Sequence, residues 1–130
     1  MKIEAITPAI GAEISGVSLN NDLNDDIGDQ IYKALIKHQV VFFRDQALSP
    51  ESHLKLAKSF GEPEPPHPIY PHVDGYENIV LLKNAEDNIP NTTDWHKDLT
   101  FKANPPFASI LHGIKIPDVG GDTLWASMSA

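Results

Sequence analysis

The sequence predicts an α+β fold, because two helical patterns lie among several short strand patterns. Apolar residues recur at helical spacing over 25–38, and a second helix begins at Ser49. Runs of β-formers precede the first helix, and strand patterns dominate the second half of the chain. With 130 residues, 41% of them hydrophobic, the chain can bury one modest core and is too short for two domains.

The elements of the first half are predicted from breakers, caps and apolar runs. Residues 3–6 and 12–17 are predicted as strands on either side of Pro8 and Gly11. The helix over 25–38 has Asn24 or Asp25 as its N-cap, and acids crowd its positive end. The next run, 40–43, contains only Val and Phe, which is typical of a strand buried on both faces. We expect that strand to lie at the centre of the core.

The second helix is predicted from Ser49-Pro50-Glu51, which supplies a cap, a proline and an acid, to Phe60-Gly61. Residues 63–74 hold five prolines and show no apolar periodicity, so they are predicted to form a stiff loop of the kind that often carries function. Further strands are predicted over 79–82 and 107–116. Residues 127–130 resemble the first turn of a helix.

Composition excludes several classes of protein. The net charge of −8 comes without clustered Lys or Arg, so nucleic acid is not an expected partner. Cysteine is absent, so any metal must be held by histidine and carboxylate side chains. The sequence shows neither a signal-like nor a membrane-spanning apolar run, so we expect a cytoplasmic protein with no membrane partner.

His96 and Asp98 are the strongest candidate metal ligands. Side chains two residues apart in an extended segment project to the same side, so one imidazole nitrogen and one carboxylate oxygen can meet at a single point. Two histidines and one carboxylate form a facial triad that suits non-haem Fe(II) and leaves positions open for other ligands. Alone, a His-x-Asp triplet is a weak motif. A zinc hydrolase site made by His96, Asp98 and His112 is an alternative.

Motifs along most of the chain resemble, in order, those of the taurine dioxygenase family. The matching segments are IGAEISG at 10–16, HQVVFFRDQ at 38–46, FGE at 60–62, HPIYPH at 67–72, WHKDLTF at 95–101, PP at 105–106 and GGDTLW at 120–125. Because they cover nearly the whole chain in the family's order, the resemblance is specific.

The resemblance implies an Fe(II)- and 2-oxoglutarate-dependent dioxygenase built on a double-stranded β-helix, or jelly roll, with flanking helices. Residues 1–130 are then the N-terminal portion of a single dioxygenase domain. The implied partners are dioxygen and a small anionic substrate, with a taurine-like sulfonate expected first and a role in taurine catabolism. A homo-oligomer is left open.

The resemblance also implies roles for individual residues. His96 and Asp98 are two of the three iron ligands, and the Thr123 hydroxyl contacts a carboxylate of 2-oxoglutarate. The residues implied to line the substrate pocket are His67, Tyr70, Thr92, Leu99 and Phe101. The same residues also fit plainer roles in a strand, a rigid surface loop or the core. The third iron ligand and the arginine that anchors 2-oxoglutarate lie, in the family, beyond residue 130, and the only arginine here is Arg44.

One departure from the family bears on the substrate. Taurine-oxidising members carry Asn four residues before the ligand histidine, whereas this chain has Thr92, whose hydroxyl has fewer donors. Alkyl sulfates and aryloxyalkanoates are therefore alternative substrates. A further alternative is an incomplete fragment that acts only as an interaction module, because two ligands hold iron weakly and an open sheet edge can pair with another chain.

Overall fold

The computed structural model of the chain describes residues 1–84 and 94–129. Within these ranges the elements in chain order are β1 Lys2–Ala5, β2 Ala12–Ser15, α1 Asp25–His38, β3 Val41–Phe42, α2 Pro50–Lys58, β4 His72–Val73 and β5 Tyr76–Val80. This mixture of helices and small sheets confirms the α+β class.

The N-terminal sheet has the order β1-β2-β3. β1 pairs antiparallel with β2, from Lys2 opposite Ser15 to Ala5 opposite Ala12. β2 pairs in parallel with β3, so the chain between them must cross over, and α1 forms most of that crossover. The prediction that residues 40–43 are buried on both faces is wrong, because β3 is only two residues long and half-buried.

The core lies between this sheet and the two helices. Its buried members are Ile14, Val17, Leu19, Leu23, Ile31, Ala34, Leu48 and Leu56. Phe43, Phe60 and Ile110 pack against it while partly exposed. The centre of the core is thus formed by β2, the segments that follow it, and one face of each helix.

The helix α1 has the predicted bounds, because its local signals agree. The Asn24 side chain accepts the Ile27 N–H at 3.0 Å, so Asn24 rather than Asp25 is the N-cap. The helix ends at Gln39, whose φ of 67° lies in the left-handed region and whose N–H donates to the Leu35 carbonyl at 2.7 Å.

The helix α2 begins where the sequence places it and is anchored to the loop before α1. Ser49 Oγ accepts the Ser52 N–H at 3.1 Å. Just upstream, the Gln46 side chain makes two hydrogen bonds to the segment that follows β2. Its Oε1 accepts the Leu19 N–H at 3.0 Å, and its Nε2 donates to the Val17 carbonyl at 3.2 Å. These contacts fix the start of α2 relative to the core.

A β-hairpin follows the proline-rich segment. β4 and β5 pair antiparallel around the two-residue turn Asp74-Gly75, in which Gly75 has a φ of 75°. The prediction of a loop throughout 63–74 is therefore wrong for His72 and Val73, and the strand predicted over 79–82 instead covers Tyr76–Val80. An Asp-Gly pair is a recognised hairpin signal that the prediction overlooked.

The strand predicted over 107–116 is not formed. Alternating apolar residues indicate which face of a strand would be buried, but a strand also needs a hydrogen-bonded neighbour. Within the described ranges no backbone segment pairs with 107–116. The helical turn predicted from residue 127 is likewise absent over 127–129. No helix in the described ranges is both long and apolar enough to cross a membrane.

Candidate metal centre and substrate pocket

His96 and Asp98 face each other in the structure. His96 Nε2 lies 3.4 Å from Asp98 Oδ1, and both side chains are 59% exposed. The chain turns directly afterwards, where Leu99 adopts a φ of 50° and its carbonyl accepts the Lys102 N–H at 3.1 Å. The structure therefore brings the two predicted ligands together, on the solvent side of a tight turn.

The orientation of the His96 ring is set by the backbone. His96 Nδ1 lies 3.0 Å from the Asp94 carbonyl oxygen. Because a carbonyl can only accept, Nδ1 carries the proton in this contact, and the neutral ring then has a lone pair on Nε2. A backbone carbonyl on the remote nitrogen is the usual support of a metal-binding histidine.

The donor set fits a divalent metal ion. In the neutral ring Nε2 and the Asp98 carboxylate oxygen are both acceptors, so their approach needs a cation or a proton between them. Two donors at right angles, each about 2.1 Å from one metal, are separated by about 3 Å, close to the observed distance. Imidazole and carboxylate are also the ligand types that Fe(II) takes in a facial triad.

A second contact to Asp98 comes from Ser109, which sequence reasoning did not identify. Ser109 Oγ donates to Asp98 Oδ2 at 3.1 Å. The two oxygens of the carboxylate thus have different neighbours, one facing His96 and the other held by a hydroxyl. Ser109 is 11 residues further along the chain, so no local spacing indicates it.

The described residues complete neither the iron triad nor the zinc alternative. Among residues 1–84 and 94–129, no group of three or more His, Asp or Glu side chains is placed to hold a metal ion. His112 instead meets His53 edge to face, with ring centroids 6.4 Å apart. The described residues therefore do not form the zinc site that was the alternative for His96, Asp98 and His112.

His67 and Tyr70 lie together in the proline-rich loop. Their ring centroids are 4.6 Å apart. His67 Nδ1 accepts the N–H groups of Ile69 and Tyr70, at 3.2 and 3.1 Å, so the proton of the neutral ring lies on Nε2. The His67 ring, with its proton on Nε2, thus lies close to the ring of Tyr70, which is 52% exposed.

A cleft of about 510 Å³ lies between α2, β5 and residues 104–111. Leu99 is among its lining residues, whereas Phe101 is not and is 84% exposed. The cleft wall is fastened to α2 by His53, whose Nε2 donates to the Ile110 carbonyl at 3.3 Å. Burial lowers the pKa of His53 below 6.5; the bond to Ile110 opposes this shift, and the neighbouring His112 adds to it.

The remaining predicted site residues are not brought to the His96–Asp98 pair. Thr123 is exposed and is separated by Asp122 from Gly120 and Gly121, which have φ values of 79° and 73°. In the described part of the chain no hydrogen bond joins Thr123 to either ligand. Thr92 lies outside the described residues. Arg44 is engaged elsewhere, in an ion pair with Glu13 at 3.3 Å.

An ion pair links the proline-rich loop to the ligand segment. Lys102 Nζ pairs with the Glu64 carboxylate. The Glu64 carbonyl in turn accepts the Asn78 side-chain amide at 2.7 Å, which ties the loop to β5. The predicted substrate loop and the predicted metal ligands are thus held in one connected arrangement.

The structure defines an α+β protein in which an imidazole and a carboxylate are paired, and comparison with known proteins identifies its family. The model of the taurine catabolism dioxygenase TauD, TfdA family matches residues 2–130, so the chain belongs to this family. The resemblance seen in the sequence is thereby confirmed. Members of this family use Fe(II) and 2-oxoglutarate.

Individual relatives are similar over much of the chain. It is 40% identical to an alpha-ketoglutarate-dependent sulfate ester dioxygenase of Pseudomonas putida, with 100% of this chain and 42% of the relative covered. It is also 40% identical to an alkylsulfatase of Acinetobacter baylyi, covering 98% and 39%. A crystal structure of a taurine dioxygenase from Burkholderia xenovorans is 41% identical with a TM-score of 0.55, covering 58% of this chain and 27% of that one. The chain thus spans 42% or less of the length of these relatives.

Proposed function

We propose that this chain forms part of an Fe(II)- and 2-oxoglutarate-dependent dioxygenase that hydroxylates a small sulfur oxyanion. The observation that carries the proposal is the His96–Asp98 pair, with 3.4 Å between the two donor atoms and Nδ1 of the histidine held by the Asp94 carbonyl. Membership of the family supports the choice of iron over zinc.

Within this proposal, each site residue has a role set by its chemistry. His96 and Asp98 hold the metal, and the Thr123 hydroxyl contacts a carboxylate of 2-oxoglutarate. When bound, the iron supplies the activation of dioxygen that is coupled to decarboxylation of 2-oxoglutarate. The two left-handed glycines before Thr123 let the backbone approach a ligand closely, because neither carries a Cβ.

The substrate is bound, in this proposal, through its anionic head group by His67 and Tyr70. The imidazole Nε2–H and the phenol hydroxyl are donors on two neighbouring rings, and a head group with several acceptor oxygens can accept from both. Leu99, which lines the cleft, is proposed to form part of the pocket wall; His67, Tyr70 and Phe101 do not line the cleft, and their place in the pocket, like that of Thr92, is proposed from the family resemblance. A taurine-like sulfonate and an alkyl sulfate share this head-group chemistry, and the 40% identity to enzymes named for sulfate esters supports the alkyl sulfate.

The fold proposal is that residues 1–130 are the N-terminal portion of one jelly-roll dioxygenase domain. Its support is the coverage of 42% and 39% of the two curated relatives. The third iron ligand and an arginine for 2-oxoglutarate then come from residues outside this chain. A cytoplasmic location and a homo-oligomeric state are parts of the same proposal.

The test is succinate formation by the complete gene product with Fe(II), 2-oxoglutarate and a panel of alkyl sulfates, sulfonates and aryloxyalkanoates. We expect turnover with a sulfate ester or sulfonate, and none after His96→Ala. His38→Ala, the same change at the last residue of α1, should retain turnover. Activity that persists in His96→Ala would reject the site, and turnover confined to aryloxyalkanoates would reject the sulfur oxyanion.

A second candidate is an interaction module without catalysis. It is favoured by the large apolar side chains that are strongly exposed towards the end of the described chain, namely Leu111, Ile114, Val119, Leu124 and Met128. Size-exclusion chromatography with light scattering tests it on the chain as given. Stable association with no iron-dependent turnover of the complete gene product would favour this candidate over the enzyme.

A further inference from the structure

We infer that Ser109 is a positioning residue for the carboxylate of Asp98, an inference that rests on the proposed metal site. The Ser109 hydroxyl donates to Asp98 Oδ2 at 3.1 Å. The other oxygen, Oδ1, is the one that faces His96 Nε2 at 3.4 Å. With one oxygen held by a hydroxyl, the plane of the carboxylate is fixed and the second oxygen is aimed at the imidazole.

Asp98 needs this support because its own surroundings leave it free to rotate. The side chain is 59% exposed, so packing does not select one rotamer. Among the described residues, the bond from Ser109 is the only hydrogen bond to the Asp98 carboxylate. Removing the Ser109 hydroxyl therefore releases the carboxylate to solvent.

Ser109 can hold Asp98 because Ser109 is itself anchored. Its neighbour Ile110 packs against the hydrophobic core, and the Ile110 carbonyl accepts a bond from His53 of α2 at 3.3 Å. The hydroxyl thus extends from a backbone that is tied to a helix. The contact therefore holds the exposed Asp98 side chain in a fixed position relative to the core.

The two predicted ligands are then supported in the same way. His96 is held through its remote nitrogen by the Asp94 carbonyl at 3.0 Å, and Asp98 through its remote oxygen by Ser109 at 3.1 Å. Such outer contacts orient metal ligands and raise metal affinity. The hydroxyl of Ser109 therefore contributes to metal affinity without touching the metal.

The first test needs no metal. Three-bond NMR couplings from the Asp98 backbone nitrogen and carbonyl carbon to Cγ report the χ1 rotamer in the 130-residue chain. We expect one rotamer in the unsubstituted chain, averaged couplings in Ser109→Ala, and recovery in Ser109→Thr, which restores a hydroxyl. Couplings that do not change in Ser109→Ala would overturn the inference.

The second test is a Mn(II) titration followed by water-proton relaxation. Ser109→Ala should lower the affinity about 10-fold, the usual effect of losing an outer contact to a ligand. Ser109→Thr should restore it, and Ser15→Ala, at an exposed serine of β2, should have no effect. An equal affinity in Ser109→Ala and the unsubstituted chain would contradict the positioning role.

The variant Asp98→Ala separates this inference from the proposed function. If Asp98→Ala abolishes Mn(II) binding while Ser109→Ala does not weaken it, the metal site stands and the role of Ser109 is rejected. If Asp98→Ala leaves Mn(II) binding unchanged, the proposed metal site is rejected, and the positioning role for metal binding falls with it. Equal thermal melting curves for all variants establish that none acts by unfolding the chain.

Discussion

Lys102 pairs with Glu64 across the gap between the ligand segment and the proline-rich loop. The two side chains are 36% and 38% exposed, so water screens their attraction. We expect Glu64→Gln and Lys102→Ala to show a coupling of about 0.5 kcal/mol in a double-mutant cycle of urea unfolding. Lys55→Ala, which removes an exposed lysine of α2, should show no coupling to Glu64→Gln. A coupling of zero between Glu64 and Lys102 would show that the pair does not hold the loop.

Gln46 is expected to stabilise the fold more strongly than the Glu64–Lys102 pair, because its side chain accepts the backbone N–H of a buried residue. Gln46→Ala leaves the N–H of Leu19, a residue only 4% exposed, without its partner. We expect a loss of about 1–3 kcal/mol in the free energy of unfolding, measured with urea. In the control Gln30→Ala, an exposed bond to Asp26 is lost, and the change should stay within about 0.5 kcal/mol. Equal losses in the two variants would contradict the role given to Gln46.

Gln39 ends α1 in a conformation that glycine adopts without strain. Its φ of 67° costs a residue with a Cβ about 1 kcal/mol. We therefore expect Gln39→Gly to raise the free energy of unfolding by about that amount. The same change inside the helix, Gln30→Gly, should lower it by about 1 kcal/mol, because glycine disfavours helix interiors. A destabilised Gln39→Gly variant would show that the Gln39 side chain matters more than its backbone.

His53 should make stability depend on pH. Its pKa in the folded chain is lowered by burial below the 6.5 of the unfolded chain, so the unfolded state binds more protons between these two values. The contribution of the neutral His53 side chain to stability is fully present above about pH 6.5. It decreases as the pH falls towards the pKa of the folded state, and below that pKa no further decrease follows. His53→Gln should reduce this dependence, measured as urea midpoints from pH 7.5 to 5. His72→Gln, at an exposed histidine, is the control and should retain it.

Elements specified by local chemistry were predictable from the sequence. The bounds of α1 follow from three local features: the N-cap Asn24, the apolar face of the helix, and the left-handed conformation of Gln39 at its end. The His96–Asp98 contact was predictable for the same reason, because a spacing of two residues in extended backbone places both side chains on one side.

Features that depend on distant neighbours were not predictable. The burial of Val41 and Phe42 depends on how many strands flank them, and the run of apolar residues does not report that number. The pattern over 107–116 could not show whether a partner strand is present. Ser109 was missed because its contact with Asp98 depends on the tertiary position of the segment around residue 110, which is bonded to α2.

The distribution of backbone hydrogen bonds divides the chain into two parts that should open at different free energies. Residues 2–80 carry both sheets and both helices, whereas within 94–129 the backbone makes a single internal bond, from Lys102 to Leu99. Amide protons of the core helices are then released only by global unfolding, while those around His96 and Asp98 exchange through small local openings. A metal or substrate bound there should suppress these local openings, so ligand binding should appear as slowed amide exchange over 94–129.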